Sequence, residues 1–337
     1  MIADKTTAVR VTTLFVGIWL CATGAFLSAQ SVQLVLAGKI PGAAEMVGAH
    51  GDYVYLAADR TLTIFDVSNP ASPKRGGAYT FPDKIWGLKV IGSLIYVAAD
   101  KSGLGILDVS NAQAPKLQGF FKTPGQAKSV AVVGKTALVA DHMSGVDFVD
   151  LTNPARPASL GSFYLEGYAR AVTASGSMAA AVDSPTGLYV FDLSKPAPLE
   201  PVGIEQSAER PASVELSDPA ASQGLNIAVL VGGGSLQLYD VSKPAAPMKV
   251  STFRTPSGRP QRAALDGKTA YVADSSAGLQ VVDLSAPAVP RLVGEYRTAG
   301  QALDVAITDS LVILLVGQTG SSTRTGGGET VILKRKP

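Results

Sequence analysis

One short pattern of apolar and polar positions recurs along the chain. An alternating apolar pentad closes on Asp and runs into a turn rich in Ser, Thr and Pro. It reads LTIFDVSNPASP at Leu62–Pro73, LGILDVSNAQAP at Leu104–Pro115 and VDFVDLTNPARP at Val146–Pro157. It returns as LYVFDLSKPAP at Leu188–Pro198, LQLYDVSKPAAP at Leu236–Pro247 and LQVVDLSAPAVP at Leu279–Pro290. The closing aspartates are Asp66, Asp108, Asp150, Asp192, Asp240 and Asp283, spaced by 42, 42, 42, 48 and 43 residues. A period of this size marks a repeat architecture, and the extra residues of the fifth unit fall in the polar stretch Ser217–Asn226, which predicts a lengthened turn.

Each unit divides into four strand-like pieces. In the third they are Lys128–Gly134, Ala137–Asp141, Val146–Asp150 and Leu160–Leu165. Between the second and third pieces stands an Asp…Gly hairpin turn, seen at Asp100–Gly103, Asp141–Gly145, Asp183–Gly187 and Asp274–Gly278. The pieces are short and rich in β-branched residues, and no window keeps a helical period. Several, such as Val130–Val133, are apolar at every position, which predicts sheets packed on both faces. Seven four-stranded antiparallel units at this period predict an all-β, seven-bladed β-propeller. The ends suggest its closure. Val32–Ile40 reads as a fourth strand, Glu329–Arg335 reads as a third, and the last unit lacks a fourth strand of its own. An N-terminal strand that joins the last blade hides the edges an open ring exposes.

Composition narrows the chemistry. The 337 residues are 46% hydrophobic and 17% charged, which is globular. A net charge of +2 gives no reason to expect nucleic acid. One Cys and two His leave no cysteine-clustered metal site and little room for a histidine one. No cofactor and no metal are expected, and the chain is read as a monomer.

The N-terminus reads as a secretory signal over residues 1–29. Lys5 and Arg10 precede the uncharged run Val11–Leu27, and Ala29 offers a small residue at the cleavage edge. Bulky residues before Cys21 argue against lipidation. Residues 30–337 then form a single propeller domain, periplasmic, extracellular or at the cell surface. The competing reading is an uncleaved membrane anchor, since the run approaches the length of a membrane-spanning helix.

The repeated phrases resemble the LVIVD repeat family of exported bacterial and archaeal proteins. Leu-x-Ile/Val-x-Asp followed by Val/Leu-Ser-x-Pro carries the resemblance, which extends over most of residues 32–335. The seventh unit departs from it, because its third strand lacks the Asp-Val-Ser-Pro signature. The resemblance implies a propeller-like array outside the cytoplasm with an interaction role, and it brings no catalytic motif.

Candidate functional residues are sought where the repeat is broken. The six pentad aspartates lie on six different blades, so they cannot converge on one ion; each is expected to cap its own turn. The hairpin aspartates Asp59, Asp100, Asp141, Asp183 and Asp274 are read as turn stabilisers, with a carboxylate-rimmed face as the alternative. Ligands of propellers sit where loops converge on the channel mouth. Aligning the start of each first strand puts Glu45, Trp86, Lys128, Arg170, Ala212, Arg262 and Leu303 there, with Lys84, Tyr168, Arg210 and Arg259 in adjacent loops. Trp86, Lys128, Tyr168, Arg170 and Arg262 are the candidate partner-binding residues. Their chemistry suits a protein or another acidic, carboxylate-bearing envelope ligand. Asp141, His142 and Glu166 form a secondary acid–base candidate, beside Arg170.

The sialidase boxes, the repeated Trp motifs of quinoprotein dehydrogenases and the Gly-x-Ser-x-Gly elbow are all absent. Gly232–Gly234 reads as a hairpin with no phosphate-binding Lys-Ser/Thr after it. The expected function is therefore an exported, non-catalytic interaction module. The alternative is an exported hydrolase or lyase acting at the channel mouth.

Overall fold

A computed structural model describes residues 32–184, 186–197, 199–207, 209–318 and 328–336. They form seven four-stranded antiparallel sheets, and no helix occurs among the described residues. The strands that open the sheets are Met46–His50, Gly87–Ile91, Ser129–Val133, Ala171–Ser175, Pro211–Leu216, Arg262–Asp266 and Gln301–Ile307, and they define blades one to seven. Each touches its two neighbours in sequence, and the seventh touches the first, so the inner strands close a ring around a channel. The protein is a seven-bladed β-propeller.

The third blade runs Ser129–Val133, Thr136–Ala140, Val146–Asp150 and Ala158–Phe163, with strand bounds within two residues of the sequence expectation. The lengthened turn of the fifth blade lies between Leu216 and Ile227, where Ser217 Oγ and Ser222 Oγ both donate to Leu225 O. Gln33–Pro41 pairs antiparallel with Gly328–Lys336 as the outermost strand of the seventh blade. The first strand in the chain thus completes the last sheet. On the inner ring the same seam is tied by Asp304, whose carboxylate accepts the Val47 N–H at 3.0 Å.

The core is a ring of seven slabs, one between each pair of adjacent blades. Strand geometry explains this, because successive side chains point to opposite faces. In the second blade Ile95 and Val97 pack toward the first, while Tyr96 and Ala98 pack toward the third. Unbroken apolar runs are therefore what a blade needs.

The pentad aspartates act as expected. Each accepts the N–H of the residue two further on, from Ser68, Ser110, Thr152, Ser194, Ser242 and Ser285, at 2.8–3.0 Å. The hydroxyl of that Ser or Thr together with its N–H holds the carboxyls of Asp66, Asp150 and Asp192 below the ordinary carboxylate range, and for Asp108 the N–H of Ser110 leads and its hydroxyl adds. The turns they cap pack into the blade before. The best case is Gly38 on the closing strand, where a Cβ would lie 1.6 Å from Pro70 O. The secretory signal and the anchor alternative lie outside the described residues.

Candidate binding site at the channel mouth

The loops between blades and the second-to-third hairpins emerge together on one face. The five hairpin aspartates, one series in the sequence, split there into two. Asp59 and Asp100 take the left-handed conformation at φ +51° and +41°, as do His142 and Ser275 in other blades. The carbonyls of all four accept an N–H from the next blade's entry loop, namely Ile85, Ala127, Ala169 and Ala302. Asp141, Asp183 and Asp274 stand one residue earlier and are fully buried. Their carboxylates pin the entry loop of their own blade. Asp141 accepts from Thr123 Oγ1 at 2.7 Å and from Gly125 N. Asp183 accepts from Gly167 N at 2.8 Å, and Asp274 accepts from Thr255 Oγ1 at 2.6 Å and Ser257 N at 2.9 Å. Stabilisation is the outcome for these three, and being buried they form no carboxylate rim.

Those pinned loops enclose a cavity of about 530 Å³ at the mouth. Trp86, Lys128, Tyr168, Arg170 and Arg262 all line it, together with His142, Arg210, Arg259, Gln261 and Gly232–Gly234. The inner strands set most of these positions. The N–H groups of Trp86, Lys128, Arg170 and Gln261 donate to carbonyls at the end of the second strand, Ala98, Ala140, Val182 and Ala273. Gln261, and not Arg262, is therefore the sixth-blade counterpart of Trp86. Arg262 sits one residue further in, opposite Ala273, and reaches the channel as well as the cavity. Sequence alignment misplaced it by one because the interblade loops differ in length.

The electrostatics are one-sided. Lys128, Arg170, Arg210, Arg259 and Arg262 line the cavity, and among the described residues no carboxylate does. Lys128 Nζ is paired with Asp100 Oδ1 at 2.9 Å and lies 4.4 Å from the Trp86 ring centroid. Lys84 Nζ lies 4.8 Å from the same ring and pairs with Glu45 at 2.7 Å. Trp86 is thus held by two ammonium groups, while its own Nε1–H is buried without a partner. The guanidinium groups of Arg170, Arg210 and Arg259 make no hydrogen bond or ion pair among the described residues.

The acid–base candidates are not brought together. His142 lines the cavity, its ring stacked on Tyr168 at 4.7 Å and 16°. Burial, then Lys128 and Arg170, push its pKa down, which favours the neutral imidazole. The Asp141 carboxylate is turned toward Thr123 and Gly125, and Glu166 is exposed outside the lining. Below the mouth, inner strands of all seven blades line a channel that carries Glu215 and Asp304 opposite Lys89 and Arg262. Burial pushes Glu215 up to about 7, against the pull of Lys89 and Arg262. Neither acid was singled out from the sequence. Both are charges in an inner strand, and the search for breaks in the repeat would have found them had it gone past the strand entrances. Among the described residues no group of three or more His, Cys, Asp or Glu is placed to hold a metal.

Fold and mouth together define a seven-bladed propeller with a cationic, solvent-open cavity at one end of its channel. Four segments, residues 41–80, 84–123, 124–164 and 257–298, match the LVIVD repeat. These segments are the first, second, third and sixth blades. No curated protein matches the sequence. Among solved structures, the chain is similar to the beta-propeller domain of Myceliophteria thermophila Cps50 (Swd1), with TM-score 0.69 and 12% identity over 90% of this chain and 99% of that one. It is also similar to Chaetomium thermophilum Raptor, with TM-score 0.67 and 14% identity over 91% of this chain and 30% of Raptor. The computationally designed Ika8 protein aligns with TM-score 0.62 and 10% identity over 91% of this chain and all 100% of the design. At these identities the likeness is one of fold.

Proposed function

We propose that this propeller is an exported, non-catalytic interaction module that captures an acidic, carboxylate-bearing protein or other envelope ligand at its channel mouth. One observation carries the reading: among the described residues, five cationic side chains line the mouth cavity and no carboxylate lines it. A guanidinium can hold a carboxylate through two parallel hydrogen bonds, and a recessed site screens such pairs less than open solvent does. Export rests on the basic, then apolar, then small-residue order of residues 1–29. The enzyme alternative has less support. General acid–base chemistry needs groups within reach of the reacting atom, and of the three candidates only His142 lines the cavity, with Asp141 engaged by its own loop and Glu166 outside.

Poly-L-glutamate is a suitable probe in titration calorimetry. Binding is expected at low salt and is expected to weaken as salt rises. Arg170→Ala with Arg262→Ala is expected to weaken it about tenfold or more, while Lys116→Ala on an outer strand has no effect. Binding lost through Lys116 and kept without the two arginines would place the surface on the propeller's side. N-terminal sequencing of the native protein tests export: a start at residue 30 supports it, and an intact Met1 in a soluble cytoplasmic fraction refutes it.

A further inference from the structure

We infer that the ligand at this mouth is a peptide segment in which a large apolar side chain stands between carboxylates; the inference rests on the mouth being the binding site. The cavity wall consists mainly of donors. Lys128, Arg170, Arg210, Arg259 and Arg262 offer N–H groups and nothing else. Gln261 has already spent its amide N–H groups on Arg259 O and Ser275 Oγ, at 3.2 and 3.0 Å. Such a wall suits an acceptor-rich ligand, and it serves a neutral sugar poorly, because each sugar hydroxyl also has a proton to place.

Beside Arg210 and Arg259 the lining includes the glycine turn Gly232–Gly234. Blades three, four and six carry a buried Asp at the second-to-third hairpin, but the fifth has Gly232–Gly234, and Gly232 pairs directly with Ser235. The short turn faces Gly258, whose carbonyl would stand 3.1 Å from a Cβ on Gly234. Glu209 stands against Gly233, its carboxylate held by Ser235 and Gln237, so an extended main chain meets bare backbone only at Gly232 and Gly234.

An apolar ledge borders the cavity on the side of the third blade. Met143, Tyr164 and Tyr168 are 63%, 71% and 50% exposed, and Tyr164 is the most exposed large apolar residue described. They flank a single hairpin. His142 in it stacks on Tyr168, and Gly145 lies so close to Tyr164 that a Cβ there would come within 2.8 Å of its Cα. Tyr168 belongs to both ledge and cavity, so one ligand can span them. Two adjacent tyrosines bury large area at small cost in rotamer freedom. Cations in the cavity and apolar area beside it fit carboxylates next to an aromatic or aliphatic side chain. Uniform polyanions use only the first of these features.

Fluorescence anisotropy with a labelled peptide carrying Asp-Glu-Phe-Asp-Glu tests this. The comparison probes are the same peptide with Ser for Phe, its Asn/Gln counterpart, and polygalacturonate as competitor. The Phe-to-Ser change and the Tyr164→Ala/Tyr168→Ala variant are each expected to weaken binding about tenfold, and the two losses should not add. Circular dichroism and a thermal melt of the Tyr164→Ala/Tyr168→Ala variant that match the parent's control for folding. Equal binding of the Ser peptide with no effect of the tyrosines overturns the inference while leaving the mouth as the site. Competition by polygalacturonate at equal carboxylate concentration overturns it in favour of a plain polyanion. If Arg170→Ala and Arg262→Ala change nothing for any probe, the mouth reading itself fails.

Discussion

Replacing Asp147 by Asn tests whether the third blade hides an acid pair that shares a proton. Asp147 is 5% exposed and its Oδ2 meets no partner. Its carboxyl hydrogen-bonds that of Asp141, which Thr123 and Gly125 already hold. In the fourth blade the matching position is Tyr189, whose hydroxyl donates to Asp183 at 3.2 Å. A carboxyl can play the tyrosine's part only while protonated. Burial first, and then the neighbouring Asp141 charge, push Asp147 up to about 7. The sign of the pH effect follows from this. Between about pH 4 and 7 the unfolded chain releases a proton that the folded protein retains, so stability falls as pH rises through that window and levels off above it. Roughly three pH units at ~1.4 kcal/mol each come to about 4 kcal/mol. Asn donates its amide N–H to Asp141 at every pH and carries no such linkage. Glu215, also pushed up to about 7, contributes a slope of the same sign to both proteins and cancels in the comparison. Denaturant and thermal unfolding of Asp147→Asn beside the parent, at pH 4.5 and pH 8, provide the measurement. Near-equal stability at the acid end and a gain of a few kcal/mol for the variant at pH 8 are expected. A difference that does not change with pH, or a variant less stable at pH 8, would refute the shared-proton account.

Two further predictions concern how the blades are joined. Gly38→Ala puts a methyl group where Pro70 O stands, so the closing strand must shift; a loss of about 3 kcal/mol or more and early proteolysis of Gln33–Pro41 are expected, and a melting curve equal to that of Val35→Ala on the same strand would count against the docking. Asp274→Ala leaves Thr255 Oγ1 and Ser257 N without their acceptor, so a loss of about 2–4 kcal/mol is expected with faster hydrogen exchange over residues 255–259; unchanged exchange there would mean the loop is held by other contacts.

The candidate site was only partly legible in the chain. Trp86, Lys128, Tyr168 and Arg170 could be found because they interrupt a period, and interruptions stand out when the same position recurs every 42 residues or so. Arg262 was found by the same rule but placed one residue early, since a loop of different length hides the register until Gln261 is seen bonded to Ala273. Gly232–Gly234 was read correctly as a hairpin, yet its place in the cavity lining beside Gly258 depends on the next blade. Asp59 and Asp141 look alike in sequence. One residue of offset sends the first toward solvent and the second beneath its own entry loop.

What the sequence determined alone were the properties that each repeat settles within itself. Pentads with both faces apolar, aspartates two residues before a backbone N–H, and a last unit short of one strand specify blade, turn and closure, because those interactions are local or are repeated at every seam. Tertiary structure alone decided what depends on neighbours far apart in the chain. It brought the arginines of three blades to one cavity and put Glu215 and Asp304 in one channel. The physical reason is that charge and burial are properties of a place. A residue's place in a ring depends on which blades flank it and on how far each connecting loop reaches, and neither is written in the local pattern.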